Sequence, residues 1–244
     1  MTSSEYIKDA LPESFVFFLP KDVVSGDYYW VYKFSEDEVF FTVADCTGHG
    51  VPGAFMSMIG TSLLNENIID YKIDNPAEVL GNMRSKIIES LNDHSSKTNN
   101  KDGMDMALCK LNLKTKTLDY TGANNPLVHI SEGKINYIKG NSQPVGLSII
   151  DNKPFTNHHV KLKKGDMIYI YSDGYQDQFG GPRGKKYMVK KFKTFLSKLS
   201  QLSIEEQRVK IQEEFHGWKG NHDQVDDICA VSYTHLTLPT TSPV

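Results

Sequence analysis

V-A-D-C-T-G-H-G-V-P-G-A-F-M-S-M, Val43 to Met58, is the stretch on which the reading of this chain turns. An apolar run from Val39 to Ala44 delivers Asp45 to the end of a buried strand. Gly48, Gly50 and Gly53 then let the backbone turn tightly and lie close to another group. Pro52 suits the first position of a helix, where its missing N–H is not needed. Phe55, Met58, Ile59 and Leu63 follow at helical spacing. A carboxylate thus stands at a strand end, over a glycine turn, beside a helix N-terminus. That arrangement suits a metal, a phosphate or both.

Upstream, Phe15 to Leu19 is a short apolar strand leading into P-K-D-V-V-S-G-D, Pro20 to Asp27. Tyr28 to Phe34 is aromatic and β-branched and reads as a second strand. Ser35 to Glu38 is a polar turn, so the strand at Val39 to Ala44 returns as the other arm of a hairpin. In an antiparallel pair, Asp27 before one arm and Asp45 after the other lie at the same end. Two carboxylates brought together repel unless a cation lies between them.

Downstream, a helix is expected from Pro52 to about Asn67, and a second opens at N-P-A-E, with Asn75 as cap and Glu78 reaching back. The Met, Ile and Leu stripes of both helices read as core. His94 to Asp102 reads as an exposed loop. Met104 to Leu113, Thr117 to Gly122, Leu127 to Ser131 and Lys134 to Ile138 read as an antiparallel meander. Val160 to Leu162 and Met167 to Ser172 add two strands, the second ending at Asp173-Gly174. The run Gln178 to Lys186, Q-F-G-G-P-R-G-K-K, reads first as a solvated loop and second as a flap over an anion. Helices at 189–199 and 203–215 follow, the latter with a capping box from Ser203 and Glu206. Asp226 and Asp227 introduce a last strand. Strand runs joined by hairpins, with segregated helices, point to one α+β domain of antiparallel sheets.

Composition narrows the function. The 244 residues carry a net charge of −3 with His neutral, which argues against a nucleic-acid partner. Cys46, Cys109 and Cys229 are far apart in sequence, so neither a disulfide framework nor a zinc site is suggested, and a reducing cytoplasm is the plain expectation. No apolar run is long enough for a membrane span, so no membrane contact is expected of this segment. Residues 1–12 are expected to be the stub of a linker, residues 13–233 the domain, and residues 234–244 a non-native tail.

Asp27, Asp45, Asp173, and Asp226 or Asp227, share one placement at the edge of an apolar strand. A single such Asp is usually a turn residue or cap; four suggest a shared ion. Hard oxygen donors suit Mg2+ or Mn2+, and His49 has no Cys or His partner at zinc spacing. Two ions about 3.5–4 Å apart would acidify a bridging water and offset phosphate charge. The reaction class is then metal-assisted hydrolysis of a phosphate ester. A covalent route fits less well, because there is no G-x-S-x-G elbow and Cys46 is flanked by Asp45 instead of a basic nest.

Five motifs in order, S-G-D at 25–27, A-D-C-T-G-H-G-V-P-G-A at 44–54, G-A-N-N-P at 122–126, S-D-G at 172–174 and D-D-I at 226–228, resemble the SpoIIE-like phosphatase domain. That domain is a bacterial branch of the type-2C (PPM) metal-dependent protein phosphatases. The resemblance runs from about Phe15 to Val231. It implies a four-layer αββα sandwich, two antiparallel sheets flanked by helices, with a two-ion Mn2+ or Mg2+ centre at one end. It implies hydrolysis of phosphoserine or phosphothreonine on a protein, typically an anti-sigma-factor antagonist in a partner-switching pathway. Asp45 resembles the aspartate bridging both ions, with Asp27 as its catalytic partner. Asp27, Asp173 and Asp226, favoured over Asp227, complete the ligand set, and Cys46 offers its backbone carbonyl. The arginine that animal-type relatives use for phosphate is missing, which leaves Lys21, His49 and Arg183 as phosphate or substrate contacts. Relatives also suggest a fused N-terminal sensory module, a homodimer, and a regulatory switch in the helices near Pro52 to Leu91. The rival reading is a non-catalytic partner-binding module of the same fold, which would tend to lose the aspartate set.

Overall fold

The computed structural model describes residues 3–91, 101–148 and 153–234. In chain order the elements are α1 (Ser4–Ala10), β1 (Ser14–Leu19), β2 (Tyr28–Lys33), β3 (Glu38–Cys46), α2 (Gly50–Leu64), α3 (Pro76–Leu91), β4 (Gly103–Asn112) and β5 (Thr117–Ala123). There follow β6 (Leu127–Ser131), β7 (Lys134–Ile138), β8 (Val145–Gly146), β9 (His158–Lys161), β10 (Met167–Tyr171), α4 (Gly174–Asp177), β11 (Phe179–Gly180), β12 (Lys185–Lys186), α5 (Val189–Leu199), α6 (Ile204–Lys219) and β13 (Ile228–Thr234). Two antiparallel sheets stack on each other, ordered β2-β3-β4-β5-β9 and β1-β13-β10-β6-β7, with β8 paired to β4.

Period-two alternation explains the layers. On β4, Ala107, Cys109 and Leu111 face the other sheet, where they meet Ile168, Ile170, Cys229 and Val231. Met104, Met106 and Leu108 face outward onto Val79, Leu80, Met83 and Ile87 of α3. On the far side Phe17, Tyr169 and Ala230 pack against Phe192 and Leu196 of α5 and Phe215 of α6. The three apolar clusters are the three interfaces of a four-layer α-β-β-α sandwich. Phe192, fully buried and stacked on Tyr175 at 4.4 Å, closes the last of them; truncation to alanine should cost about 3–5 kcal/mol.

Five details differ from the sequence reading or sharpen it. The expected meander is two hairpins in different sheets. After β5 the G-A-N-N-P turn, with Asn124 in the left-handed region at φ 57°, carries the chain across, and β6 pairs with β10. Tyr120 locks that crossover by donating its hydroxyl to the Asn125 carbonyl at 2.5 Å. The first helix does not run on as α to Asn67: from Asn65 to Asp70 it is a π-helix, where Asn67 donates to the Leu63 carbonyl and accepts from Asn82 of α3. Within the segment expected to be a linker stub, α1 buries Ile7 and Ala10 in the core between the sheets. Thr234, assigned by sequence to a tail, is the buried last residue of β13 and pairs with Met167. Gln178 to Lys186 is a small hairpin of β11 and β12 packed on Trp218. Residues 94–100 of the expected loop and residues 235–244 lie outside the described residues. Among the described residues no helix is long and apolar enough to cross a membrane.

Candidate metal centre

The site lies where the core between the sheets runs out. Tyr28 pairs with Ala44 and Asp45 with Asp105. Asp27 therefore sits across from Asp45, which sits across from Asp105. Asp45 has the parity of Phe41 and Val43, and Asp105 that of Ala107 and Cys109, so both carboxylates extend the row that faces the second sheet. That sheet contributes Asp173, just past the end of β10, and Asp226, just before β13.

Backbone packing fixes these loops. Asp227 accepts from the N–H of Lys21 at 2.7 Å and of Gly26 at 2.8 Å, so it clamps both ends of the 20–27 loop to the start of β13. Gly26 lies against the glycine turn: a Cβ on it would stand 2.4 Å from the Gly48 carbonyl, and one on Gly53 only 2.3 Å from the same oxygen. The S-G-D and G-H-G-V-P-G glycines are thus two halves of one close approach, which presses Asp27 toward Asp45.

Asp45, Asp105, Asp173 and Asp226 line a cavity of about 270 Å3, with Cys46, Thr47, Gly48, His49, Met104 and Pro144. Asp27 is buried behind them. Burial first, then Asp27, Asp173 and Asp226, pushes the Asp45 carboxyl up to about 10. Burial raises Asp27 to about 8, against a hydrogen bond from Ser172 and with help from Asp227 and Asp226. Asp173 rises to about 6 through burial, Asp177 and Asp226. Burial also raises Asp105, opposed by Asn124. Each shift reports carboxylates that prefer to be neutral unless a cation joins them.

Among the described residues no three His, Cys, Asp or Glu side chains already stand in metal-ligand geometry. The donor set nonetheless fits a hard divalent cation. Asp27 Oδ2 is buried without a hydrogen-bond partner, and the converging side chains are oxygen donors of the kind Mg2+ and Mn2+ take. Sulfur is turned away: the Cys46 side chain belongs to the outer core, and burial followed by Asp45 pushes its thiol well up. Only its backbone is left to the site.

The other residues singled out in the sequence divide. His49 is on the cavity wall, with Nδ1 at 2.9 Å from Asp22 and Nε2 at 3.4 Å from Lys21 Nζ. If Nδ1 carries the proton, it donates to Asp22 and Nε2 accepts from Lys21. Arg183 is on the exposed turn between β11 and β12, outside the cavity lining. Asp226 lines the cavity, whereas Asp227 spends both oxygens on backbone N–H groups. Sequence reasoning missed Asp105. The signal was present: in D-G-M-D-M-A-L-C, Asp105 falls on the same face as Ala107 and Cys109. It also missed Asn124, which donates to Asp105 Oδ1 at 2.7 Å.

Residues 35–235 match the family model described as Stage II sporulation protein E (SpoIIE). This chain belongs to the SpoIIE family. The SpoIIE domain here is similar to phosphoserine phosphatase RsbU of Bacillus subtilis (strain 168), at 27% identity over 158 residues, 64% of this chain and 44% of RsbU. It thus spans less than half the length of that relative. It also superposes on the SiaA-PP2C domain of Pseudomonas aeruginosa with a TM-score of 0.83 and 28% identity, over 94% of this chain and 89% of that one. A structure of the PP2C phosphatase domain and a fragment of the regulatory domain of SpoIIE from Bacillus subtilis shares the fold, with a TM-score of 0.71 at 18% identity, over 93% of this chain and 63% of that one. The SpoIIE domain described here is accordingly an α+β sandwich of the type-2C phosphatase kind.

Proposed function

We propose that this domain hydrolyses phosphoserine or phosphothreonine on a bacterial signalling protein, of the anti-sigma-factor-antagonist kind, at a centre of two Mn2+ or Mg2+ ions. One observation carries the reading: loops far apart in sequence bring Asp27, Asp45, Asp173 and Asp226 to one end of the sandwich, where burial and neighbouring acids oppose ionisation of Asp27, Asp45 and Asp173. The similarity to a phosphoserine phosphatase supports the substrate class.

Asp27, Asp45, Asp173 and Asp226 would hold the ions, with the Cys46 carbonyl beside them. Bound divalent cations supply an acidified water and positive charge against the phosphate. The chain's own contribution is to place that charge in advance. Asp227 and the Gly26–Gly48–Gly53 contact hold the Asp27 and Asp45 loops in register, so little reorganisation is left for the reaction. His49 is on the cavity wall with Lys21 beside it, so a phosphate oxygen there would meet the Lys21 ammonium, whose remaining N–H groups can donate to it. Asp22 orients the imidazole.

The test is release of inorganic phosphate from p-nitrophenyl phosphate and from a phosphoserine protein with Mn2+. Asp45→Ala should abolish it, a loss of about a thousandfold or more, given the share that electrostatic stabilisation takes in such hydrolyses. Activity that survives both EDTA and Asp45→Ala overturns the proposal.

A further inference from the structure

We propose that Asp105 is a further carboxylate of the metal centre, set in place by Asn124; this rests on the metal-dependent reading above. The argument is one of register. Asp45 and Asp105 are facing partners on β3 and β4, and Asp27, one residue before β2, continues the β2–β3 register toward Asp45, at the one end where the intersheet core stops. Side chains directly opposite each other in an antiparallel pair have Cβ atoms about 4.5–5.5 Å apart, and like charges so placed destabilise the sheet. Asp45 carries such a neighbour on both sides. A row of three is tolerable where a cation is shared along it. Asp105 lines the same cavity as Asp45, Asp173 and Asp226, and Asp27 Oδ2, buried in that row, has no protein partner.

The G-A-N-N-P turn supplies the second half of the argument. Asn124 is left-handed, φ 57°, and its amide donates to Asp105 Oδ1 at 2.7 Å. Asn125 donates to the Asp105 backbone carbonyl at 3.1 Å. Two consecutive asparagines from the crossover thus hold one aspartate by side chain and main chain. A residue that served only the strand would not need its carboxylate oriented. Ligands of divalent ions are commonly oriented by such outer hydrogen bonds, whose loss weakens the metal about 10- to 100-fold.

The experiment is calorimetric titration of Mn2+ into metal-stripped protein, together with the Mn2+-induced shift in melting temperature. The wild type is compared with Asp105→Asn, which keeps the shape and the acceptor for Asn124, and with Asn124→Gly, which keeps the left-handed backbone. Asp105→Asn should weaken Mn2+ about tenfold or more and shrink the thermal shift, and Asn124→Gly should do the same to a smaller degree. A wild-type isotherm in either folded variant overturns the assignment while leaving the four-aspartate centre standing. If the wild type itself takes up no Mn2+, the metal-dependent reading falls and Asp105 falls with it.

Discussion

Replacing Asp45 by asparagine should stabilise this protein without metal and destabilise it relative to wild type with metal. Asp45 is held protonated up to about pH 10 by burial and by Asp27, Asp173 and Asp226. In the unfolded chain it ionises near its ordinary 3.8. A group whose folded pKa is raised contributes stability below the unfolded value and loses it as pH rises. Each pH unit above 3.8 costs about 1.4 kcal/mol, so at pH 7.5 the bound is about 5 kcal/mol. Asp27 and Asp173 share the same repulsion, so the gain expected from Asp45→Asn in EDTA is about 2–3 kcal/mol, or roughly 5–10 °C in melting temperature for a domain of this size. In saturating Mn2+ the order should invert, because the wild type gains binding energy that the amide cannot supply. The assay is thermal unfolding followed by circular dichroism at pH 7.5, in EDTA and in millimolar Mn2+. The reasoning is refuted if Asp45→Asn melts below wild type in EDTA, or if both proteins gain equally from Mn2+.

Four further outcomes follow from the structure. Because Asp173, Asp27 and Asp45 rise to about 6, 8 and 10, the metal-free fold holds protons that the unfolded chain has released. Its urea midpoint should therefore fall as pH rises from about 4 toward 10, and Mn2+ should reverse the trend because binding needs the ionised ligands; a midpoint that climbs with pH in EDTA would contradict this. Asp227→Ala removes a buried acceptor from the N–H groups of Lys21 and Gly26 and should cost about 3 kcal/mol in chemical unfolding, with faster amide exchange at Gly26. Gly53→Ala drives a Cβ to 2.3 Å from the Gly48 carbonyl and should cost about 2–3 kcal/mol. Gly81→Ala, in the middle of α3 with open space around it, should instead gain about 0.5–1 kcal/mol.

The strands, the capped helices and the acidic strand ends were legible because each is a local pattern. The capping box at Ser203 and Glu206 forms as read, and Asn75 caps α3 through Ala77. Pairing between distant strands was not legible. β13 lies between β1 and β10, and nothing in Ile228–Thr234 says which neighbours it will choose. The same limit produced the false meander: left-handed residues occur in the hairpin turns, at Lys116 and Glu132, as well as at Asn124, and only the pairing of β6 with β10 marks G-A-N-N-P as a crossover. Asp226 and Asp227 are adjacent acids in the sequence, and the choice between them depends on loop 20–27, some two hundred residues away. Asp105 was hidden because M-D-M reads as the inside of a strand until that strand's partner is known. The glycines pointed to close backbone contact, but only the fold shows that Gly26 and Gly53 share one carbonyl.

The most direct measurement is anomalous diffraction from Mn2+-soaked crystals of this chain. The account predicts manganese peaks among Asp27, Asp45, Asp173 and Asp226, in the space between the two sheet ends. Well-ordered aspartates with no anomalous density at millimolar Mn2+ would contradict it.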